Sequence, residues 1–403
     1  MYSVSRRFRR LDELGDIRGK RVLVRVDFNI PVDPMTDAMT DDSRIQGALP
    51  TLTKLLQQGG RVIAISHRGR PKSNDPKDSL RPVATYLQEH LSFPVHFVDE
   101  VRSPAVTLAC QALNPGELLV LENLRFEPGE KTNSREFAHY LASLAEIYVN
   151  DAFGTAHRED ASIVGVPQWL PAYAGLLMSR ELDTLDQILT KPHRPYWAII
   201  GGAKVSDKVT LLARLVELVD GLVIGGGMAN TFLHARGYDL GKSLVESDAV
   251  TTAQDLVTRA KAQGIPIILP TDVVLAKEFK HDAPFRVTDI GDIQADEMAL
   301  DIGPQTVNAI VAALEEAKTV LWNGPMGVFE FDTFAQGTLS IAHALATLDA
   351  AVVVGGGDSV AAANKAGVKD QLTHISTGGG ATLRYLEGQD LPGVRALKQV
   401  DWE

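Results

Sequence analysis

Short apolar runs alternate with longer stretches of helical periodicity along the whole chain. Near-continuous apolar runs of this length are typical of parallel strands that helices cover on both faces. The alternation predicts an α/β protein built on doubly wound parallel sheets. Helical patterns separate most of the runs, for example at residues 45–58, 134–145 and 209–219. The predicted strands are residues 21–26, 61–66, 95–98, 118–122 and 147–150 in the first half, and 196–200, 222–224, 266–269, 319–322, 351–354 and 372–375 in the second.

The midpoint of the chain carries a different pattern. Apolar residues recur close to the helical period between residues 175 and 190, and Pro192 and Pro195 follow. A chain of 403 residues exceeds what one ordinary core holds, so two domains are expected. We predict two Rossmann-like domains, residues 1–174 and 191–390, joined by a hinge helix at residues 175–190. An ordinary crossover helix is the alternative for that stretch.

Four glycine clusters in the second half each follow a predicted strand. They are Gly201-Gly202 and the three triplets at residues 225–227, 355–357 and 378–380. Glycine lets backbone N–H groups approach phosphate oxygens closely, and a helix that starts there presents its positive N-terminus. Together the clusters indicate a phosphate-binding crevice, although a plain tight turn is the alternative for any one of them.

Polar and cationic side chains follow the strands of the first half. Because ligands of open α/β sheets bind outside the carboxyl ends of the strands, these residues are expected to converge. Arginine and histidine beside hydrogen-bonding partners suit a small, multiply charged anion. A surface salt bridge is the alternative for each residue taken alone. The residues are Asp27, Asn29, Arg44, His67, Arg70, Asn123, Arg125, Asp151, His157 and Arg158.

Three charged residues in the second half fit nucleotide chemistry. Lys204 and Lys208 lie four residues apart, so they share a face if a helix begins there. Asp358 directly follows a glycine triplet, where a carboxylate could hold Mg²⁺ on nucleotide phosphates. The alternatives are two solvated lysines and a helix N-cap.

Composition narrows the class of protein. The formal net charge of −11 argues against broad nucleic-acid binding. A single cysteine, Cys110, excludes an internal disulfide framework and fits a reducing compartment. No apolar stretch approaches the roughly 20 residues that span a bilayer. Residues 1–10 are basic but lack the apolar region of a secretory signal, so we do not expect one there. We expect a cytoplasmic protein that binds neither nucleic acid nor membrane, with residues 6–10 as a solvated tail.

Two familiar nucleotide motifs are missing. Gly241-Lys242-Ser243 has the end of a Walker A loop, but Arg236 stands where its first glycine belongs. None of the glycine triplets continues into a Gly-x-Gly-x-x-Gly fingerprint, which argues against an NAD-dependent oxidoreductase. A two-lobed, non-catalytic binding protein would need an export signal and would not explain Lys204, Lys208 and Asp358 together.

The joint pattern resembles phosphoglycerate kinase over essentially the whole chain. Many long matches in order make the resemblance specific. The matching segments are 24–29 (VRVDFN), 42–45 (DSRI), 66–71 (SHRGRP), 122–126 (ENLRF), 150–158 (NDAFGTAHR), 201–208 (GGAKVSDK), 323–330 (NGPMGVFE), 355–358 (GGGD) and 376–381 (STGGGA).

The resemblance implies a monomeric, two-domain, Mg²⁺-dependent kinase that interconverts 1,3-bisphosphoglycerate and ADP with 3-phosphoglycerate and ATP. It implies that a tail at residues 391–403 folds back on the N-terminal domain. The implied triose ligands are Asp27, Asn29, Arg44, His67, Arg70, Arg125 and Arg158. The implied nucleotide ligands are Gly201, Lys208, Gly225, Gly226, Asn323, Pro325, Glu330, Gly355, Gly356, Gly357, Asp358 and Ser359, with Asp358 as the metal ligand.

The implied chemistry requires no general base, because the phosphoryl acceptor is a carboxylate that is ionised at neutral pH. Repulsion between two anions is the obstacle, so electrostatic stabilisation and positioning are expected to carry catalysis. Arg44, Lys204 and backbone N–H groups near Gly357 and Gly380 are the expected contributors. The two ligands bind to different domains, so the domains are expected to close for transfer.

Four positions, at three places in the chain, depart from the family pattern. Arg68 stands where an apolar residue is usual, and either tunes substrate affinity or faces solvent. Glu159-Asp160 replaces the usual Ala-His, so the family's second histidine is missing. Ser359 replaces a common threonine and keeps the hydroxyl.

Overall fold

The computed structural model describes residues 8–31, 33 and 39–398. Within it the chain forms two compact units. Unit 1 runs to Asp183 and resumes at Gln389, and unit 2 is Thr184–Gly388. None of the described helices is both long and apolar enough to cross a membrane.

Unit 1 is built on a six-stranded sheet in the order β3-β4-β2-β1-β5-β6. All neighbouring strands in it are parallel. Valines from β1 and β2 pack with the apolar face of α1 in a continuous buried core. The strands are β1 (Arg21–Arg25), β2 (Arg61–Ile65), β3 (Val95–Val98), β4 (Leu118–Leu121), β5 (Ile147–Asn150) and β6 (Ala172–Ala174), and the helices are α1 (Ser43–Gln57), α2 (Arg81–His90), α3 (Pro104–Ala112), α4 (Pro128–Lys131) and α5 (Arg135–Ser143).

Helix α6 (Leu176–Thr190) contains the boundary between the two units. Its first N–H groups lack partners within the helix, and side chains of unit 1 accept them instead. Thr51 Oγ1 accepts from Leu176 N at 2.9 Å, and Asp151 Oδ1 accepts from Leu177 N at 2.9 Å and Met178 N at 3.1 Å. The start of α6 is therefore fixed to α1 and to the end of β5.

Unit 2 holds a second six-stranded parallel sheet in the order β15-β14-β13-β7-β8-β9. Unit 2 also contains a three-stranded antiparallel sheet in the order β11-β10-β12, whose strands fall between β9 and β13 along the chain. The strands are β7 (Tyr196–Ile200), β8 (Gly221–Ile224), β9 (Ile267–Ile268), β10 (Asp272–Ala276), β11 (Phe285–Asp289), β12 (Met298–Ile302), β13 (Thr319–Asn323), β14 (Ala351–Val354) and β15 (His374–Ile375). The helices are α7 (Val209–Leu215), α8 (Gly226–Ala235), α9 (Val250–Ala262), α10 (Pro304–Leu314), α11 (Gln336–Thr347), α12 (Gly357–Lys365) and α13 (Gly380–Leu386).

The predicted fold class is confirmed, and each predicted strand is present with ends that differ by at most two residues. Sequence reasoning missed β6 and the antiparallel sheet. Strand β6 has three residues, and β11 alternates exposed with half-buried positions instead of forming an apolar run. Neither has the signature of a buried parallel strand.

Both ends of the described chain contribute to unit 1. Phe8 forms a bridge with Lys398, and helix α14 (Pro392–Arg395) packs through Gly393, whose N–H donates to Ala156 O at 2.8 Å. Leu391 and Leu397 on this segment are buried. Residues 399–403 of the predicted tail lie outside the described residues.

The basic run at residues 6–10 is not simply a solvated tail, so that expectation was wrong for its last residues. The Arg10 guanidinium makes two hydrogen bonds to the Asp183 carboxylate, at 2.6 and 2.5 Å. The Arg9 guanidinium lies 5.9 Å from the centre of the Tyr173 ring. Arg6 and Arg7 lie outside the described residues.

Candidate active site

The candidate site of unit 1, called the crevice below, consists of the polar residues that follow the carboxyl ends of its central strands. Strand β1 pairs with β2 on one side and with β5 on the other, so the direction of winding reverses there. Asp27 follows β1, His67 follows β2, Arg125 follows β4 and Arg158 follows β5. The expected convergence of these residues is present in the contacts described next.

Asp27 and Arg44 form an ion pair at the edge of the crevice. Arg44 Nη1, near the start of α1, donates to Asp27 Oδ2 at 2.5 Å. Asp27 is buried, whereas 35% of the Arg44 side chain remains exposed. Asn29 Oδ1 accepts from Gly69 N at 2.8 Å and so joins the loops after β1 and β2. The pair fixes Arg44 while leaving it accessible to a ligand.

Asn123 braces the loop that carries Arg125. Its Oδ1 accepts from the backbone N–H groups of Arg68 and Arg125, both at 3.1 Å, and its Nδ2 donates to Arg68 O at 2.8 Å. Arg125 Nη1 donates to Gly69 O, but Arg125 Nε is buried without a hydrogen-bond partner. An unpaired buried donor of this kind is free to bind an added acceptor.

His67 is nearly inaccessible, with 1% of its surface exposed, and both of its ring nitrogens face guanidinium groups. Arg25 Nη2 lies 3.1 Å from Nδ1, and Arg158 Nη1 lies 3.0 Å from Nε2. Burial lowers the pKa of His67 well below 6.5, and the surrounding positive charges lower it further. His67 is therefore neutral at physiological pH.

The cationic cluster is electrostatically strained without an anion. Burial lowers the pKa of Arg125, and the positive charge of Arg158 adds to that shift. Burial also lowers the pKa of Arg158, while the carboxylates of Asp160 and Asp27 oppose the shift. Arg70 is exposed and makes no hydrogen bond or ion pair within the described ranges. A multiply charged anion would relieve the repulsion that these groups share.

In unit 2, a cavity of about 640 Å³ opens beside the ends of the central strands. Gly226, Pro325, Glu330 and Asp358 are among the residues that line it. Its walls are mainly apolar and include Leu244, Phe279, Met298, Val328 and Phe331. A mostly apolar pocket with a few polar groups at one end fits a nucleotide base with its phosphates.

The expectation for the two lysines was wrong in one respect. Helix α7 begins at Val209, so Lys204 and Lys208 precede it and do not share a helical face. Lys204 is exposed. Lys208 turns inward, where its Nζ donates to Gly201 O at 2.7 Å and to Asn323 O at 2.9 Å. Burial lowers the pKa of Lys208 from 10.5 to about 8, while Asp358 and Asp207 oppose that shift.

The glycines allow close backbone approach at the strand ends. Gly226 has a φ of +66°, and a Cβ added there would lie 2.6 Å from Gly202 O. A Cβ on Gly201 would overlap Pro325 O, and one on Gly225 would overlap the side chain of Met326. Three of the four predicted glycine clusters start a helix directly, namely α8, α12 and α13. Gly357 and Gly380 are exposed at the first positions of α12 and α13.

Asp358 is a candidate ligand for a divalent cation. The N-cap of α12 is Gly356, so Asp358 is not the N-cap; it is exposed in the first turn and lines the cavity. Among the described residues, no group of three or more His, Cys, Asp or Glu side chains could hold a metal by itself. One carboxylate with nucleotide phosphates is nonetheless the usual donor set for Mg²⁺, so Asp358 fits that ion.

Two other predicted nucleotide ligands brace the loops around the cavity. Ser359 is buried and its Oγ accepts from Gly324 N at 2.5 Å. Asn323 Nδ2 donates to Gly355 O at 2.8 Å. These contacts join the ends of β13 and β14, so both side chains position the backbone that the cavity exposes.

The chain matches the family model "Phosphoglycerate kinase" over residues 11–389. The phosphoglycerate kinase of Moorella thermoacetica is 54% identical over 386 residues, which cover 95% of this chain and 98% of that protein. The enzyme of Thermosynechococcus vestitus is 53% identical over 95% of this chain and 96% of its own length. This chain belongs to the phosphoglycerate kinase family. It is therefore a kinase, a transferase of glycolysis.

Solved phosphoglycerate kinases have the same fold. The structure from Coxiella burnetii aligns with a TM-score of 0.88 at 39% identity and covers 97% of this chain and 99% of that one. The structure from Pyrococcus horikoshii aligns with a TM-score of 0.83 at 32% identity, with 96% and 98% covered. The resemblance stated from the sequence is confirmed.

Of the departures from the phosphoglycerate kinase pattern, Arg68, Glu159 and Asp160 lie in unit 1, whereas Ser359 lies in unit 2. Arg68 does not face solvent, because it is 4% exposed and its Nη1 donates to Ser79 O at 2.7 Å. Glu159 lies 3.5 Å from Arg395 of α14. Asp160 is buried, and its Oδ2 has no hydrogen-bond partner. Arg68 therefore supports a loop, and Asp160 adds a negative charge near Arg125 and Arg158.

Sequence reasoning missed two buried charged residues near the sites. Arg25, the last residue of β1, contacts His67 but was assigned only to a strand. Asp301 in β12 lines the cavity, accepts from Gly337 N at 2.7 Å, and has a pKa that burial raises to about 7. A charged residue inside an otherwise apolar strand is the signal that could have revealed both.

Proposed function

We propose that this chain catalyses the Mg²⁺-dependent interconversion of 1,3-bisphosphoglycerate and ADP with 3-phosphoglycerate and ATP. The carrying observation is the half-buried pair of guanidinium groups of Arg125 and Arg158 beside neutral His67, where burial and repulsion between guanidinium groups lower the pKa of both arginines despite the nearby carboxylates. Membership of the phosphoglycerate kinase family supports the same reaction.

The triose ligand is proposed to bind in unit 1. Arg44, Arg70, Arg125 and Arg158 would pair with its phosphate and carboxylate oxygens, since guanidinium groups bind such anions bidentately. The neutral ring of His67 would donate one hydrogen bond to an oxygen of the triose ligand. Asp27 and Asn29 are proposed to orient Arg44 and the loop at Gly69, as their contacts support.

The nucleotide is proposed to bind in the cavity of unit 2. Glycines at residues 201, 225–226 and 355–357 would bring backbone N–H groups to its phosphates, and Glu330 would bind the ribose hydroxyls. Lys208 would add a positive charge at the same end. Asp358 would hold Mg²⁺, which when bound neutralises part of the phosphate charge.

Phosphoryl transfer is proposed to need no general base. The attacking carboxylate is ionised at neutral pH, so the enzyme has to overcome repulsion between two anions. Arg44, Lys204 and the N–H groups at Gly357 and Gly380 would stabilise the charge of the transferring group. Because the two ligands are proposed to bind to different units, transfer requires closure of the units, with α6 as the proposed hinge. We further propose that the protein acts as a cytoplasmic monomer.

The decisive experiment measures 3-phosphoglycerate-dependent consumption of MgATP by the full chain, coupled to an NADH-oxidising reduction of the acyl phosphate. Turnover should require 3-phosphoglycerate because its carboxylate accepts the phosphoryl group. It should require Mg²⁺ because this ion neutralises part of the charge on the nucleotide phosphates. A folded chain that binds MgATP but shows no such turnover would overturn the proposal.

A further inference from the structure

Buried residues behind His67 form a continuous hydrogen-bonded series. Glu130 Oε1 accepts from Ser162 Oγ at 2.5 Å, and its Oε2 accepts from Ser162 N at 3.0 Å. Arg25 Nε donates to the same Ser162 Oγ at 2.9 Å, and Arg25 Nη2 lies 3.1 Å from His67 Nδ1. None of Glu130, Ser162 and Arg25 is exposed to solvent. The reaction as proposed above assigns no role to Arg25, Ser162 or Glu130.

Arg25 can only act as a donor, because a guanidinium has no acceptor and stays protonated. Each of its three nitrogens already has a neighbour. Nε contacts Ser162, Nη1 donates to Val26 O, and Nη2 faces His67. Arg25 therefore cannot rotate without leaving a buried charged donor unpaired, which is costly. The contact with His67 is satisfied only if Nδ1 accepts.

A neutral imidazole carries one proton, so an accepting Nδ1 places that proton on Nε2. Nε2 lies 3.0 Å from Arg158 Nη1, which is also a donor. Two donors thus face one another at the mouth of the crevice. Of the two arginines, Arg158 is the one that gives up its contact with His67. Arg158 is only half-buried, so water can replace that contact, whereas Arg25 is fully buried and has no replacement partner.

We propose that Glu130, Ser162 and Arg25 are positioning residues that hold His67 as the neutral Nε2–H tautomer, so that His67 and Arg158 offer two donors to one oxyanion. Resting on the function proposed above, that oxyanion belongs to the triose ligand. The two donors cannot satisfy one another, and an oxygen that lies beside both nitrogens accepts from both. Burial raises the pKa of Glu130, and the charge of Arg25 with the hydrogen bond from Ser162 opposes that shift.

The first test reads the tautomer directly in the ligand-free full chain. Histidine labelled with ¹⁵N, observed by long-range ¹H–¹⁵N correlation near neutral pH, gives the protonation of each ring nitrogen, and the His67→Gln variant identifies the His67 signals. A proton on Nε2 alone is expected. A proton on Nδ1, or on both nitrogens, overturns the proposal. The protonation of the His67 ring nitrogens is measured without turnover. Failure of the proposed reaction would therefore be seen separately, in the coupled assay.

The second test removes the link between Arg25 and Glu130. Ser162→Ala should shift the His67 tautomer populations and raise KM for 3-phosphoglycerate by about three- to tenfold, the range of one hydrogen bond, with KM for MgATP unchanged. Tyr148→Phe is the matched control, because the Tyr148 hydroxyl donates to the backbone oxygen of Ser162 at 2.6 Å and takes no part in the hydrogen bonds from Glu130 through Ser162 Oγ to Arg25. The control should lower stability but leave the tautomer and both KM values as they are. An unchanged His67 tautomer in Ser162→Ala would refute the positioning role. If that variant does not fold, the wild-type spectrum remains the test, and a proton on Nδ1 there refutes the proposal.

Discussion

Arg44 combines a fixed position with an accessible charge. Its ion pair with Asp27 holds one guanidinium nitrogen at 2.5 Å, and a third of the side chain stays in contact with solvent. Arg44→Ala should lower kcat by about 100- to 1000-fold, as loss of one transition-state donor does, with little change in affinity for MgADP. Steady-state kinetics with calorimetric binding of MgADP measures both effects.

Lys54 supplies the control for Arg44, because it lies on the same helix and pairs with Asp12 away from the crevice. Lys54→Ala should keep kcat near the wild-type value. If Arg44→Ala turned over as fast as Lys54→Ala, Arg44 would have no part in the mechanism.

Lys208 predicts a pH dependence of nucleotide binding. Its pKa lies near 8 in the free enzyme, so the ammonium is charged below that pH and loses its proton as pH rises through it. Affinity for MgADP should therefore fall between about pH 8 and pH 9.5 in the wild type. Lys208→Arg should remove most of this fall, because arginine stays protonated in that range.

Calorimetric titration with MgADP across this pH range tests the prediction. Bound phosphates stabilise the charged lysine, so proton uptake on binding should accompany the loss of affinity above pH 8. Parallel pH profiles in the wild type and Lys208→Arg would show that a different group titrates.

At the scale of residues, the sequence identified side chains that follow strands. Asp27 and His67 come directly after apolar runs and Arg125 follows one within a few residues, so the rule for parallel sheets placed them together. Arg25 and Asp301 escaped because their roles depend on burial and neighbours rather than on position in a motif. The inward turn of Lys208 escaped for a related reason, since the start of α7 at Val209 is not marked by a capping residue.

At the scale of elements, α6 depends on a buried acid at its start. Burial raises the pKa of Asp151 from 3.8 to about 6, so the folded state holds this proton more tightly than the unfolded state. The contribution of Asp151 to stability is thus largest below about pH 4 and is lost as pH rises to about 6, by up to ~3 kcal/mol.

Asp151→Asn tests this contribution, because the amide oxygen can still accept from Leu177 and Met178 but cannot titrate. The free energy of unfolding is measured by urea denaturation between about pH 4 and pH 7. As pH rises, the wild type should lose stability relative to the variant, because only the wild type has an acid at this position that loses its proton. A constant difference between the variant and the wild type would mean that Asp151 does not titrate in this range.

The elements that sequence predicted are those with a single strong signal. Parallel strands such as β7 and β14 are apolar throughout, and α8 and α12 start at glycines. Strand β11 of the antiparallel sheet lacks such a signal because its Phe285 and Val287 face solvent, whereas β10 is buried throughout and was missed despite its apolar run. The pairing of this sheet depends on contacts between segments distant in sequence, which a local pattern does not contain.

At the scale of the whole molecule, the two sites should respond to different ligands. The proposed triose site consists of residues from unit 1, and the proposed nucleotide cavity consists of residues from unit 2. Hydrogen exchange should therefore slow at residues 66–71 and 122–126 with 3-phosphoglycerate alone, and at residues 201–228 and 323–330 with MgADP alone. The assignment would be contradicted if 3-phosphoglycerate alone slowed exchange in the segments of unit 2 instead of those of unit 1, or if MgADP alone did the reverse.

The order of the chain also has a consequence for biosynthesis. Unit 2 is an uninterrupted segment, whereas unit 1 needs α14, which follows unit 2 and packs on Ala156 beside Arg158. A ribosome synthesises the chain from its N-terminus, so unit 2 is complete while unit 1 still lacks its last piece. The nascent chain can therefore finish the fold of the nucleotide cavity first, and the surroundings of the cationic cluster are completed only after α14 has emerged.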